Sequence, residues 1–209
     1  MRRATIPALL LVLALTLTGC AAGGKDFRHG TVEGRTYTSE FLGLMCTAPD
    51  TFRYMSDSEI AEMNSVTTDE KTTLADALHQ RLEDGGQVQD MYLITEDGLY
   101  RVGISVDKEN NKGADVDMDA FIANGIAQAK SAYAAIDGME DVTSEAQTTQ
   151  FLGSEYQSIL TTATYNGFPT QSLQVCIPVG QYICVVTFTS YVEDHTAEMM
   201  GYFSAMTTE

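Results

Sequence analysis

The sequence predicts an α+β domain, an antiparallel sheet flanked by helices, and three observations carry that prediction. Strand-like runs crowd the stretch from Val142 to Ser190, separated by turn signals too short to hold a crossover helix, so neighbouring strands must pair as hairpins. Earlier in the chain, apolar residues recur at helical spacing in Leu74, Leu78 and Leu82 and again between Phe121 and Ile136. After residue 20, no apolar run approaches the roughly 20 residues that cross a bilayer as a helix. The resulting order is β-β-α-α-β-β-α-β-β-β-β-α. It gives about six strands in one sheet, with a short N-terminal strand or two, and helices burying their apolar stripes against it.

Val32 to Tyr37 and Phe41 to Ala48 read as the first two strands, the second closed by Pro49-Asp50. Ser56-Asp-Ser-Glu59 ahead of Ile60 and Met63 has capping-box form: the serine hydroxyl serves an orphan backbone N–H while Glu59 reaches back. It predicts a short helix over 57–64. The leucine stripe predicts a second helix over 69–84, stopped by Gly85-Gly86. Asp97-Gly98, between two β-rich runs from Val88 to Val106, is a two-residue hairpin signal. A third helix over 118–136 has Asp117 or Asp119 as cap and Gly138 as stop. Strands follow at 142–150, 155–165, 168–178 and 182–190, with Asn166-Gly167 the strongest turn between them. Met199, Met200, Phe203 and Met206 then predict a closing helix over 194–206.

The chain of 209 residues carries 12 Lys and Arg against 29 Asp and Glu, a formal net charge of −17. Such a field repels phosphate backbones and anionic lipid surfaces, so no nucleic-acid partner is expected. At 44% apolar residues the chain can bury one proper core.

The first 20 residues read differently. Arg2 and Arg3 precede an uncharged, mostly apolar run from Ile6 to Leu17, too short for a mature span and right for a signal-peptide h-region. It ends in Leu17-Thr18-Gly19-Cys20. These four residues resemble the lipobox of bacterial lipoproteins. The resemblance implies that Cys20 is lipidated after cleavage before it, and that the membrane is a partner through that lipid, on the extracytoplasmic face. Residues 1–19 are then a signal peptide, 20–29 the lipidated cysteine and a tether, and 30–209 a single domain. Cleavage would remove Arg2 and Arg3 but no acid, leaving a net charge of about −19.

Tyr37-Thr-Ser-Glu-Phe-Leu-Gly-Leu44, followed by Pro49-Asp-Thr-Phe52, resembles a group of lipoproteins of Gram-positive gut bacteria, with Thr51-Phe52 standing where that group has Gly-Trp. Asp90-Met-Tyr92, Leu152-Gly-Ser-Glu-Tyr156 and Gln174 to Tyr182 match its later segments. The group is similar in fold to PsbP-like domains. The resemblance implies a non-catalytic binding or accessory module with a cell-envelope protein as partner; the alternative is a lipoprotein that captures a small ligand or a cation between sheet and helices. A third reading, an envelope hydrolase, would need a nucleophile and base brought together from distant positions.

Chemistry-bearing residues are sparse. His29, His79 and His195 have no metal-ligand spacing, and no cofactor fingerprint or phosphate loop occurs. The acids from Asp107 to Asp119 fail as an EF-hand loop, since Lys112 and Met118 stand where glycine and glutamate are needed. They lead instead into an acid-capped helix. Gly103-Ile-Ser105-Val-Asp107 lacks the second glycine of a nucleophile elbow. No catalytic residue and no metal site is predicted. With Cys20 assigned to the lipid, Cys46, Cys176 and Cys184 remain. A three-residue loop at 179–181 would set Cys176 opposite Cys184, within reach of a cross-strand disulfide. The other reading is two buried thiols. Tyr165 and Phe168, flanking the Asn166-Gly167 turn, form a candidate partner-binding spot.

Overall fold

The computed structural model describes residues 26–109 and 116–206; Leu17, Thr18, Gly19 and Cys20, and part of the acidic cluster, lie outside them. The elements are β1 (Thr31–Glu33), β2 (Thr36–Ser39), β3 (Leu44–Thr47), β4 (Phe52–Tyr54), α1 (Asp57–Met63), α2 (Leu74–Glu83), β5 (Val88–Thr95), β6 (Tyr100–Lys108), α3 (Met118–Ala134), β7 (Met139–Phe151), β8 (Ser154–Tyr165), β9 (Phe168–Val179), β10 (Tyr182–Tyr191), α4 (Thr196–Met200) and β11 (Phe203–Ala205). Strands dominate, every pairing is antiparallel, and the class is α+β.

One expectation is corrected at the level of the sheet. There are two sheets: seven strands in the order β4-β5-β6-β10-β9-β8-β7, and four in the order β1-β2-β3-β11. The N-terminal strands do not extend the main sheet but build the second one. Its last member, β11, falls where a helix over 194–206 was predicted. The methionine spacing is helical, but the helix ends at Met200 with Gly201 as its C-cap, and Phe203 pairs with Cys46 in β3. The first predicted strand is likewise two: Gly34, at φ +60°, turns the chain between β1 and β2.

Other elements form for the reasons legible in their residues. Ser56 and Glu59 make both capping-box bonds of α1. Thr73 and Asp76 make them for α2, which therefore starts at Leu74 instead of residue 69. Leu74, Leu78 and Leu82 are all buried, each contributing about 1.5–3 kcal/mol. Asn166 and Gly167 sit at φ +49° and +85°, the two positive values a type I′ hairpin demands.

The seven-stranded sheet has two unlike faces. Val102, Ile104, Val106, Val175, Cys184, Val186 and Phe188 belong to the main core, capped by α1, α2, α4 and the small sheet. Among the described elements the other face is covered by α3, through a small cluster of Ile122, Ile159, Cys176, Ile183 and Val185.

The capping carboxylates give the fold an acid limit. Arg53 grips Glu59 with two bonds of 3.0 and 2.9 Å, and with Ser56 holds its carboxyl down to about 2. Asp76 and Asp97 are also lowered, by hydroxyls first and backbone N–H groups second. Between the folded and ordinary carboxylate values the unfolded chain binds more protons, so stability is complete above about pH 4.5 and falls as pH drops toward 2. Thermal unfolding followed by circular dichroism should show that decline, with a shallower slope in Glu59→Gln.

Candidate functional site

The helix α3 must reverse to enter β7. Gly138, at φ +81°, makes that reversal in the left-handed region, and its carbonyl accepts the Asn166 N–H at 2.8 Å. The end of α3 is thereby fastened to the β8–β9 turn. Ile136 and Met139 come to rest beside Tyr165 and Phe168, the aromatic pair singled out in the sequence. From the opposite side the β5–β6 turn delivers Leu99 and the start of β6 delivers Arg101, and the end of β10 delivers Tyr191 and Val192. Together they line a cleft of about 560 Å³.

This cleft is mostly apolar, with one cation, Arg101, and one carboxylate, Asp97, in its lining. Phe168 is 54% exposed and Ile136 42%, large apolar surface for two neighbouring side chains. Tyr165 stacks edge-on against Tyr191 at 6.1 Å between ring centres. Arg101 lies 5.2 Å over the Tyr191 ring and donates Nε to the Gly98 carbonyl at 3.0 Å. Among the described residues it makes no ion pair, although the chain carries a large excess of acids. Beneath the cleft, the buried Thr170 hydroxyl has no hydrogen-bond partner among the described residues. Val192 is a β-branched residue at φ +86°, a conformation that costs on the order of 1–3 kcal/mol and is held by its N–H bond to Pro169.

At the other end of the sheet the chain enters the fold. Phe27 and His29, expected in the tether, pack on the domain instead. Phe27 is buried edge-on against Phe41, which meets Tyr182 in the same way. His29 Nδ1 lies 2.6 Å from Asp90 Oδ1, Gly30 N–H donates to the same oxygen at 3.3 Å, and the Tyr37 hydroxyl donates to Oδ2. Asp90 and Tyr37 are both 1% exposed. A β-bulge between Gln89 and Met91 turns Asp90 inward, and the Gln89 carboxamide bridges the bulge by donating to the Met91 and Ile104 carbonyls. Burial, reinforced by Asp90, raises the Tyr37 phenol well above its ordinary value. The sequence signal for this cluster was a lone carboxylate in a strand among inward-facing apolar residues. Sealed from solvent, it fastens the N-terminus to the core.

His195 stands at the N-cap position of α4 without a side-chain capping bond and faces the open groove beside Tyr100 and Tyr202. Its Nδ1 is 2.7 Å from Glu198 and its Nε2 3.6 Å from Glu193; the Glu198 bond first, and Glu193 with it, raises its pKa. Both ring nitrogens thus meet carboxylates. His79, on α2, sits 3.9 Å from Glu83.

The expected Cys176–Cys184 pairing is corrected. Val179 pairs with Tyr182 across a two-residue turn, one residue off the predicted register, so Cys176 opposes Val185 and Cys184 opposes Ile177. A slip of one residue reverses faces. Cys184 points into the main core and Cys176 toward α3. Cys46, Cys176 and Cys184 are free and buried. Burial pushes Cys46 up to about 11 and Cys176 to about 12, and Cys184 well above the ordinary thiol. Because thiolate is the reactive form, a thiol-reactive chromogen applied to the Cys20→Ala chain at pH 8 should titrate no native cysteine and three in denaturant.

Among the described residues, no helix is long and apolar enough to cross a membrane. No family model matches the chain, and no curated protein does. Among solved structures, the crystal structure of LpqN involved in cell envelope biogenesis of Mycobacterium tuberculosis is similar at a TM-score of 0.37 and 10% identity, over 77% of this chain and 82% of that one. A likeness that loose carries no argument about function.

Proposed function

We propose that the protein is a lipid-anchored, extracytoplasmic accessory module of the bacterial cell envelope, of PsbP-like type, which acts without catalysis by presenting its aromatic cleft to an envelope protein. The anchor rests on Leu17-Thr18-Gly19-Cys20 behind a short apolar run. Two acyl chains on one cysteine hold far more firmly than the single chain whose binding is reversible. The observation that carries the reading is where the cleft lies relative to the chain's entry. Phe27 enters beside Tyr182, at the first residue of β10, and the cleft is lined by Tyr191, at its last. Nine strand steps of about 3.3 Å separate them by about 30 Å. Between Cys20 and Phe27, at most about 25 Å of chain is available. A domain held that close to the bilayer at one end offers the other end outward. There the exposed Phe168, Tyr165 and Ile136 suit the apolar anchors of a protein surface, and Arg101 suits a carboxylate on the same partner.

The test is chemical crosslinking on intact cells, read by mass spectrometry, with Cys20→Ala and Phe168→Ser beside the native chain. The native protein should fractionate with membranes and give one recurrent envelope partner. Cys20→Ala should leave the membrane fraction and lose that partner. Phe168→Ser should stay anchored and folded yet lose it too. Native protein in the cytoplasm with Cys20 unmodified would sink the reading, as would a partner retained by Phe168→Ser.

A further inference from the structure

The face of the main sheet under α3 changes character along its length. Near Met118 it is apolar, with Cys176, Ile183 and Val185 packed in one cluster with Ile122 and Ile159. One row on, Gln174 lies between Ile159 and Thr187, and in the next row Thr161, Ser172 and Thr189 lie side by side on β8, β9 and β10. Ser105 joins them from β6. These are hydroxyls and a carboxamide on four adjacent strands, at about 4.8 Å between strands and about 7 Å between rows.

The helix comes close at Gly125, where a Cβ would stand 2.5 Å from Ile159 Cδ1. Beyond that contact it presents only Ala129 and Ala132 toward the patch, and a slot of about 330 Å³ stays open between helix and sheet. Tyr133 and Phe121 add aromatic ring surface to it. The side chains of Ser105, Gln174 and Thr187 make no hydrogen bond to another described residue, so their donors and acceptors are free for whatever enters. In a chain with 20% charged residues, no described residue lining the slot is Asp, Glu, Lys, Arg or His. Small-molecule sites run from about 300 to 1,000 Å³ and fix their ligand with a few convergent polar groups; this slot lies at the small end of that range.

We infer that the slot beneath α3 is a binding site for a neutral, polyhydroxylated small molecule the size of one or two sugar rings. The absence of lining charge removes the usual means of holding an ion. Groups that both give and accept hydrogen bonds match a ligand made of hydroxyls, and the aromatic rings suit the apolar face of a sugar ring. The inference stands apart from the anchor and the aromatic cleft and holds if either fails.

Isothermal titration of the full chain, kept in a zwitterionic detergent so that no sugar headgroup competes, tests it with maltose, trehalose and N,N′-diacetylchitobiose. Glucuronate and glucosamine serve as charged comparators. Saturable binding is expected for at least one neutral disaccharide and for neither charged sugar. Ala129→Leu, which fills the slot from the helix without touching the sheet, should weaken it tenfold or more. Thr187→Val keeps the shape and removes one hydroxyl, so it should weaken it about tenfold, the scale of one hydrogen bond. Phe168→Ser should leave it unchanged. No saturable binding of any of the three disaccharides overturns the inference. So does equal binding of the charged sugars, or an affinity unmoved in both slot variants.

Discussion

Asp90→Ala should cost the fold about 3–5 kcal/mol, the scale of breaking a buried polar pair by removing one member. The carboxylate accepts from the Tyr37 hydroxyl, from Gly30 N–H and, on the same oxygen, meets His29. Each partner left unmet in the interior costs about 1–3 kcal/mol. The damage should be local before it is global. Gly30 lies so close to Tyr37 that a Cβ there would stand 2.2 Å from the ring, so the segment holds one tight arrangement against Tyr37 or none. Without Asp90 the segment from Phe27 to Gly30 should lift, and trypsin should cut after the exposed Arg28 at a denaturant concentration that leaves the native chain intact. Asp90→Asn, which keeps one acceptor, should lose less, about 1–3 kcal/mol. A urea midpoint unchanged in Asp90→Ala, with Arg28 still protected, would show that the cluster does not fasten the N-terminus.

That cluster also marks the boundary of what the sequence could tell. Local chemistry was readable: the capping box of Ser56 and Glu59, the acid cap of α3 at Asp117, the Asn166-Gly167 turn and the run of four hairpin strands all form where the residues put them. Each depends on bonds between neighbours in the chain. What failed depends on distant partners. Met199, Met200, Phe203 and Met206 satisfy a helical stripe, but Phe203 is claimed by Cys46, over 150 positions away. The β9–β10 register was off by one because a loop of two residues and one of three fit the same sequence, and that single step carried Cys176 and Cys184 to opposite faces. Asp90 reads as an ordinary polar strand position until the bulge and His29 are seen together. Of the candidate sites, Tyr165 and Phe168 were visible as an aromatic pair beside a turn. Arg101, Tyr191 and Ile136 reach the same cleft from three other elements, and no pattern within one element announces that. The slot under α3 was foreseeable only as a location between sheet and helices; its neutral lining emerges when four strands are set in register.

Phe188→Ala should be as costly as the loss of Asp90, about 3–5 kcal/mol, the range for truncating a buried phenylalanine. The side chain is fully buried at the centre of the main core. Its ring stands edge-on to Phe203 at 5.7 Å and to Phe151 at 5.9 Å, and those two meet each other at 5.4 Å. Such geometry adds about 0.5–1.5 kcal/mol per pair to the area buried. The three rings come from β10, β7 and β11, so this triangle holds the last strand of the small sheet onto the large one. Removing its centre should therefore release β11 first. Amide hydrogen exchange in Phe188→Ala should show the bond from Met206 N–H to the Gly43 carbonyl, and the pairing of Phe203 with Cys46, losing protection before the strands of the main sheet do. Phe188→Leu, which keeps most of the volume, should cost about 1.5 kcal/mol and leave β11 protected. Equal exchange across both sheets would mean that they open as one unit. Early loss confined to β11 would mean that the C-terminal strand rides on the aromatic triangle, the contact that its helical-looking sequence conceals.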